Sequence, residues 1–371
     1  MNKIKLIGLC LSFSLANAHN LHLPESPQFR NFHRDQINIP HEYTITTFYG
    51  SDTLNEPVLI ELIHSHAMQR LKRINQYGII HFLNPKQEYT RYQHSIGVLF
   101  LLRRYGASLE EQVMGLLHDV SHTVFSHVAD YLFNTVLCKE SYQDQIFPWY
   151  VENTDIMPIL QKYNLAWLVP LETHAQFTML KDNLPNICAD RLEYNLYGAY
   201  IEGWLTQQQT TNILHHLHYH KGQWTFDDMD SARLFAQITL DLSKNIWCSA
   251  WNGFIYTESA HLLKQAFDIN LISMNDLIFS DDETIWDIFN NSQDQLIQIM
   301  LTRIKEYHTH FTIGSPEQHD FYVKGKLRGI DPLIMTHNGP LRLSELDNEF
   351  KSLYEQTKNQ LAQGWYISYV S

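Results

Sequence analysis

From Pro57 onward the apolar positions of this chain fall at helical spacing. Val58, Leu59, Leu62 and Ile63 recur every three to four residues, and Met68, Leu71 and Ile74 do the same. Residues 94–105, 109–118, 126–138 and 186–201 read as further helices, and apolar runs with little alternation continue to about residue 310. Upstream, residues 43–49 (YTITTFY) are β-branched and aromatic, which predicts a short strand or hairpin. Pro24, Pro27 and Pro40 punctuate a polar stretch over 19–40 that reads as an extended arm. Gly314-Ser-Pro316 and the segment 325–340 are loop-rich, and a last helix is expected near 343–362. No internal repeat is present. The expected class is mainly α, with a short N-terminal β element in 19–56, a helical domain over 57–205 and a mainly helical C-terminal region over 206–371.

Composition agrees with a folded chain: 44% of the 371 residues are hydrophobic and 18% charged. The net charge of −13 argues against extended nucleic-acid binding, which needs clustered Lys and Arg. It leaves room for a small phosphorylated substrate held by a few local cations. The N-terminus has a basic start (Met1 to Lys5), an apolar run from Leu6 to Ala16 and a small-x-small Ala16-Asn17-Ala18. That three-part pattern predicts a signal peptide over 1–18, cleaved to give a secreted or periplasmic protein. A cytoplasmic location follows if the N-terminus is retained. The run is too short for a membrane span, which needs about 20 apolar residues, and no later segment is long and apolar enough. Cys138, Cys188 and Cys248 would remain, too widely spaced for a disulfide framework or a cysteine zinc site.

The chemistry concentrates in Leu116-Leu117-His118-Asp119-Val120-Ser121-His122. Adjacent His and Asp project about 100° apart on a helix, so both reach one ion only near a helix end. An imidazole and a carboxylate together suit a borderline divalent metal. Arg91-Tyr92-Gln93-His94-Ser95 lies upstream and Asp190-Arg191-Leu192-Glu193-Tyr194 downstream, giving the order His…His-Asp…Asp. That order resembles the metal signature of HD-domain phosphohydrolases. Met68 to Ile74, Tyr89 to Ser95 and His118 to His127 resemble the deoxynucleotide triphosphohydrolase branch, and the resemblance covers roughly residues 42–200.

The resemblance implies an HD-domain helical bundle with His94, His118, Asp119 and Asp190 as ligands of one divalent ion. Mn, Fe, Mg, Ni and Zn are not distinguishable, and a second metal stays open. It implies hydrolysis of a phosphate ester or anhydride, of a nucleotide, by metal-activated water. His122 takes the position of a catalytic histidine and Asp130 that of its carboxylate partner. Arg91, His127, Arg191 and Tyr194 match phosphate-binding positions, and Gln76 and Tyr77 a sugar-side position. Each also has an ordinary structural reading: loop packing for His127, ion pairing for the arginines.

Two departures matter. Tyr197-Gly198 stands where the triphosphohydrolases carry an Arg-Asp pair that helps bind the sugar 3′-hydroxyl. Ser141-Tyr142-Gln143-Asp144 lacks the histidine of a Ser/Thr-His-Glu motif. Selectivity for deoxynucleoside triphosphates therefore does not carry over. His64 and His66 are weaker metal candidates. His215, His216, His218 and His220 read as a solvated helix face. Lys324, Lys326 and Arg328 are either a phosphate clamp or a solvated turn. Two other functions stay open: a catalytically inactive scaffold binding nucleotide or metal, and a two-metal phosphodiesterase recruiting His122 or His127. A homo-oligomer is compatible with all of them.

Overall fold

The computed structural model describes residues 23–24, 40–84, 88–136, 138 and 141–370. The expected signal peptide lies outside them. β1 (Tyr43–Thr47) and β2 (Gly50–Leu54) form the anticipated antiparallel hairpin, which lies on the central helix of the domain. Pro57 opens α1 (Pro57–Ile63) at a position where its missing N–H costs nothing, and Ser65 caps α2 (His66–Arg70).

The central helix is α3 (Arg91–Arg104). Thr90 and Gln93 close a capping box at its start. His94 to Leu102 are buried on every face, so this helix has no solvent stripe. It packs on α4 (Leu109–Leu117), capped by Ser108. α5 is short (Val128–Leu132) rather than running over 126–138. Its chain breaks at Asn134, which adopts the left-handed conformation (φ 58°) that asparagine tolerates and a continuing helix does not. α6 (Tyr142–Glu152) and α7 (Ile156–Lys162) follow, then α8 (Ala189–Ile201), which closes the other side of α3.

The C-terminal region is less purely helical than its pattern predicts. α9 (Gln207–His215) runs into β3 (Leu217–His220) and β4 (Gln223–Phe226). α10 (Met229–Leu242) ends in a π-helical turn over Ser243–Trp247, and α11 (Ala250–Asp268) packs against α5. α12 (Met274–Phe279), α13 (Asp282–Asn291), α14 (Gln295–Lys305) and the single turn α15 (Tyr307–His310) complete the helical part. Then come β5 (Phe311–Ile313), β6 (Phe321–Val323), β7 (Leu333–Thr336), β8 (Gly339–Arg342), α16 (Leu343–Leu346), α17 (Asn348–Ala362) and β9 (Trp365–Tyr369). The strands make two small sheets, ordered β3-β4-β7-β8 and β5-β9-β6. They were missed because strands of three to five residues are too short for alternation to register, and because most pair with partners remote in sequence. The chain remains mainly α, and no described helix is long and apolar enough to cross a membrane.

The histidine run is not a helix face. It straddles the end of α9 and β3, where His216 and His218 both hold Asp227 at 2.8 Å on the surface.

Candidate metal centre

Three chain segments converge. His94 sits in the second turn of α3. His118 follows the last residue of α4, and there the chain leaves the helix, so His118 and Asp119 turn to the same side. Asp190 lies in the first turn of α8, where unsatisfied N–H groups favour a carboxylate. His94 Nε2 and His118 Nε2 are 3.1 Å apart. Asp190 Oδ1 is 3.2 Å from the first and 3.6 Å from the second. Asp119 Oδ2 is 3.6 Å from His94 Nε2, and its Oδ1 is 3.5 Å from His118 Nε2.

The donor set fits a divalent ion. Ligands about 2.1 Å from such an ion stand ~3.0 Å apart at a right angle and ~3.4 Å apart at the tetrahedral angle. Those are the separations found. Each imidazole is also oriented from behind. His118 Nδ1 donates to Gly115 O at 2.8 Å, and His94 Nδ1 to the carboxylate of Glu193. Both Nε2 atoms therefore face one point, where a shared proton or a metal ion must sit between them. The electrostatics agree. Burial opposes a charged His94, but Glu193, Asp190 and Asp119 outweigh it and push the ring up to about 10. Burial would raise Asp119, yet His118, Arg91 and His122 hold it well below the usual carboxylate range, and His118 and His94 do the same for Asp190.

His122 stands beside this set, its Nε2 3.3 Å from Asp119 Oδ1 and its Nδ1 buried without a partner. Burial and then the Arg91 charge lower it to about 3, so the ring is neutral at neutral pH. Asp130 is not its partner. Asp130 Oδ2 holds His127 Nδ1 at 2.9 Å, while Oδ1 accepts from Thr135 Oγ1 and Tyr142 N, both at 2.7 Å. Three residues separate His127 from Asp130 across the first turn of α5, whereas His122 lies beyond a sharp bend. His127 instead meets His122 edge-on at 5.0 Å.

Arg91 is not free for phosphate either. It is 3% exposed, and its guanidinium donates to Asp119 Oδ2 (2.7 Å), Ser126 Oγ (3.0 Å) and Gln76 O (3.4 Å). It holds the Asp119 carboxylate in place. Arg191 makes a single bond to Asn186 O at 3.0 Å. Tyr194 packs 6.4 Å from the His94 ring, and Gln76 Oε1 is buried without a partner. Tyr77 lies over Gly198, where an added Cβ would stand 3.4 Å from its hydroxyl and 4.0 Å from Trp247. These two rings line the space that an acidic side chain at 198 would enter. His64 and His66 serve the backbone of α1 and Asp155 and take no part.

Three groups were not anticipated. Glu193 orients His94 and also accepts from Tyr89 Oη. Its position three residues after Asp190 on one helix face was the available signal. Gly97 makes room for it, since a Cβ there would lie 2.4 Å from Glu193 Oε1. Asp282 of α13 is fully buried and accepts from Asn75 N (2.8 Å) and Phe125 N (2.7 Å), bracing the loops on both sides of Arg91. Asp144, one residue beyond the position of the expected Glu, completes the capping box of α6 and holds Lys181 at 2.9 Å. Lys181 in turn feels Asp190 and Asp119, and so brings a cation to this flank.

A model of the HD domain matches residues 91–163. Uncharacterized protein YdhJ of Bacillus subtilis is 33% identical over 320 residues, spanning 86% of this chain and 96% of that protein. Metal-dependent phosphohydrolase cns2 of Cordyceps militaris is 28% identical over 292 residues, 76% of this chain and 82% of the relative. The fold is similar to that of a phosphohydrolase from Bacteroides thetaiotaomicron, with a TM-score of 0.64 at 14% identity over 89% of this chain and all of that one. The cluster of His94, His118 and Asp190 with Asp119 beside it, the family match over the segment that carries His94, His118 and Asp119, and the near full-length relative together place this chain in the HD-domain phosphohydrolase family.

Proposed function

We propose that the protein hydrolyses a phosphate ester or anhydride of a nucleotide, using one divalent ion. The observation that carries this reading is the pair of imidazole Nε2 atoms 3.1 Å apart, each oriented from its Nδ1 side, with two carboxylates at 3.2–3.6 Å. An ion bound there supplies Lewis acidity, polarising a phosphoryl oxygen and making water more acidic. The chain's own residues do the rest. Arg91 fixes the Asp119 carboxylate. Arg191 offers a guanidinium fork to phosphate oxygens. His127, its tautomer set by Asp130, carries the proton that the leaving oxygen needs. His122, neutral and wedged between Asp119 and His127, orders the attacking side. Tyr77, Tyr194 and Trp247 provide flat apolar surface suited to a nucleoside. The altered Gly198 position supports a nucleotide other than those chosen through a 3′-hydroxyl contact.

The test is phosphate release by purified mature protein with manganese, offered NTPs, dNTPs, nucleoside monophosphates and cyclic dinucleotides. Turnover of at least one class is expected, lost together with bound metal in Asp119→Ala. Unchanged turnover in that variant sinks the assignment, and no turnover of any class by metal-loaded protein moves the function to binding alone. Export from the cytoplasm, signalled by residues 1–18, is part of the same reading.

A further inference from the structure

The segment that follows β6 runs without regular secondary structure from residue 324 to 332 along α10 and the π turn. It is pinned on both sides of Arg328. Lys326 O accepts from Cys248 Sγ at 3.4 Å, Arg328 N donates to Ser243 Oγ at 3.3 Å, and Ile330 N donates to Thr239 Oγ1 at 2.9 Å. Two glycines permit this approach. A Cβ at Gly325 would lie 2.6 Å from Cys248 Sγ, and one at Gly329 2.6 Å from Leu240 Cδ2. The backbone is thus clamped close to the helix, and Arg328 is directed inward while Lys326 stays exposed.

Arg328 Cζ lies 6.0 Å from the centre of the Tyr194 ring, whose other neighbours are His94 and Trp247, each at 6.4 Å. Its electrostatic neighbours include Asp190 and Tyr194, and its charge is felt by Arg191. Among the described residues, no carboxylate lies within 4 Å of either guanidinium. The buried Tyr194 hydroxyl and Trp247 Nε1 have no partner at hydrogen-bond distance. Two guanidinium groups without a carboxylate partner thus lie near the metal ligands, Arg328 against the Tyr194 ring and Arg191 next in sequence to Asp190, with Trp247 Nε1 unpartnered beside Tyr194. Both guanidinium groups are half-buried, and polar groups taken from water are costly unless something answers them. The nearby carboxylates do not: Asp119 is held by Arg91 and Glu193 by His94, and Asp190 belongs to the metal set.

We propose that Arg328 and Arg191 form a two-guanidinium clamp for a terminal phosphoryl group, so that the C-terminal region completes the active site. This rests on the phosphohydrolase reading. A terminal phosphoryl group carries close to two negative charges at neutral pH and matches two guanidinium groups. A diester carries one.

Full-length manganese-loaded protein is titrated with inorganic phosphate by calorimetry, with metal content and melting temperature recorded for each variant. Arg328→Ala is expected to weaken phosphate about 10- to 100-fold, the scale of one charge-assisted hydrogen bond, with metal content unchanged. Arg328→Lys recovers part of the loss, and Lys326→Ala on the same segment changes nothing. Dimethyl phosphate binds more weakly than phosphate and loses less from the substitution. Arg328→Gln serves in place of the alanine variant if that protein does not fold. Phosphate affinity of Arg328→Ala and Arg328→Gln within twofold of wild type overturns the clamp. Wild-type protein that holds manganese but binds no phosphate also overturns it and leaves the metal site standing. Protein that binds no metal fails on the underlying reading instead.

Discussion

Replacing Glu193 by glutamine removes a negative charge from behind His94 while leaving the side-chain volume almost unchanged. The wild-type carboxylate is 2% exposed, contacts His94 Nδ1 and Tyr89 Oη, and takes a further 3.4 Å contact from Tyr49 Oη. Glutamine can still offer an oxygen to the ring, so a neutral hydrogen bond replaces a charge-assisted one of roughly twice the strength. Loss of such a partner typically lowers metal affinity ~10- to 100-fold, or about 1.4–2.7 kcal/mol. A second consequence concerns protons. Burial disfavours a charged His94, but Glu193 and the two ligand carboxylates outweigh it and lift the ring to about 10. At pH 8 the metal-free ring therefore holds a proton that metal must displace, and binding releases about one proton from this residue. Without the Glu193 charge the ring falls back toward its ordinary range and the release shrinks. Manganese titrations in two buffers of different ionisation enthalpy measure affinity and proton release together. Wild-type affinity and wild-type proton release in a folded Glu193→Gln protein would refute the argument that Glu193 sets the basicity of His94.

Gly97→Ala should produce the same metal defect from the other side, because its Cβ would stand 2.4 Å from Glu193 Oε1; overpacking of this kind costs about 1–3 kcal/mol, readable in a denaturation midpoint. Asp130→Asn should keep the metal but cut turnover by roughly 10²–10⁴, the scale of lost acid–base assistance. Burial would raise Asp130, but His127, Thr135 and Tyr142 hold it well below the carboxylate range. Its stabilising contribution is therefore present above pH ~4 and lost as pH falls through the folded value, so wild type and variant should converge in stability on acidification. Asp282→Ala strands the buried donors Asn75 N and Phe125 N and should cost about 2–5 kcal/mol in chemical denaturation. Burial raises Asp282 to about 6, so the wild-type advantage should be largest at acidic pH and decline as pH rises through 6. Sequencing the N-terminus of exported protein should find His19 first, and a retained Met1 would place the protein in the cytoplasm.

The order His94…His118-Asp119…Asp190 could be read without coordinates through its resemblance to a family signature, and the structure brings His94, His118 and Asp190 together; His118-Asp119 also needs a helix end, which the Val113–Leu117 apolar run provides. The mainly α class followed from periodicity, which survives in any helix long enough to bury one face. Pairings between side chains could not be read. Asp130 is eight residues from His122 and three from His127, and only the bend at Phe125 and Ser126, both with positive φ, decides which imidazole it meets. Arg91 looked like a phosphate ligand because its residue type suits one; its burial beside Asp119 gives it a different task. Glu193, Asp282, Lys181 and Arg328 come from segments 37 to 207 residues away from the groups they meet, in His94, Asn75, Asp144 and Tyr194. Local sequence dictates which side chains can do the chemistry. Their partners, charges and access depend on distances through space, which packing alone sets.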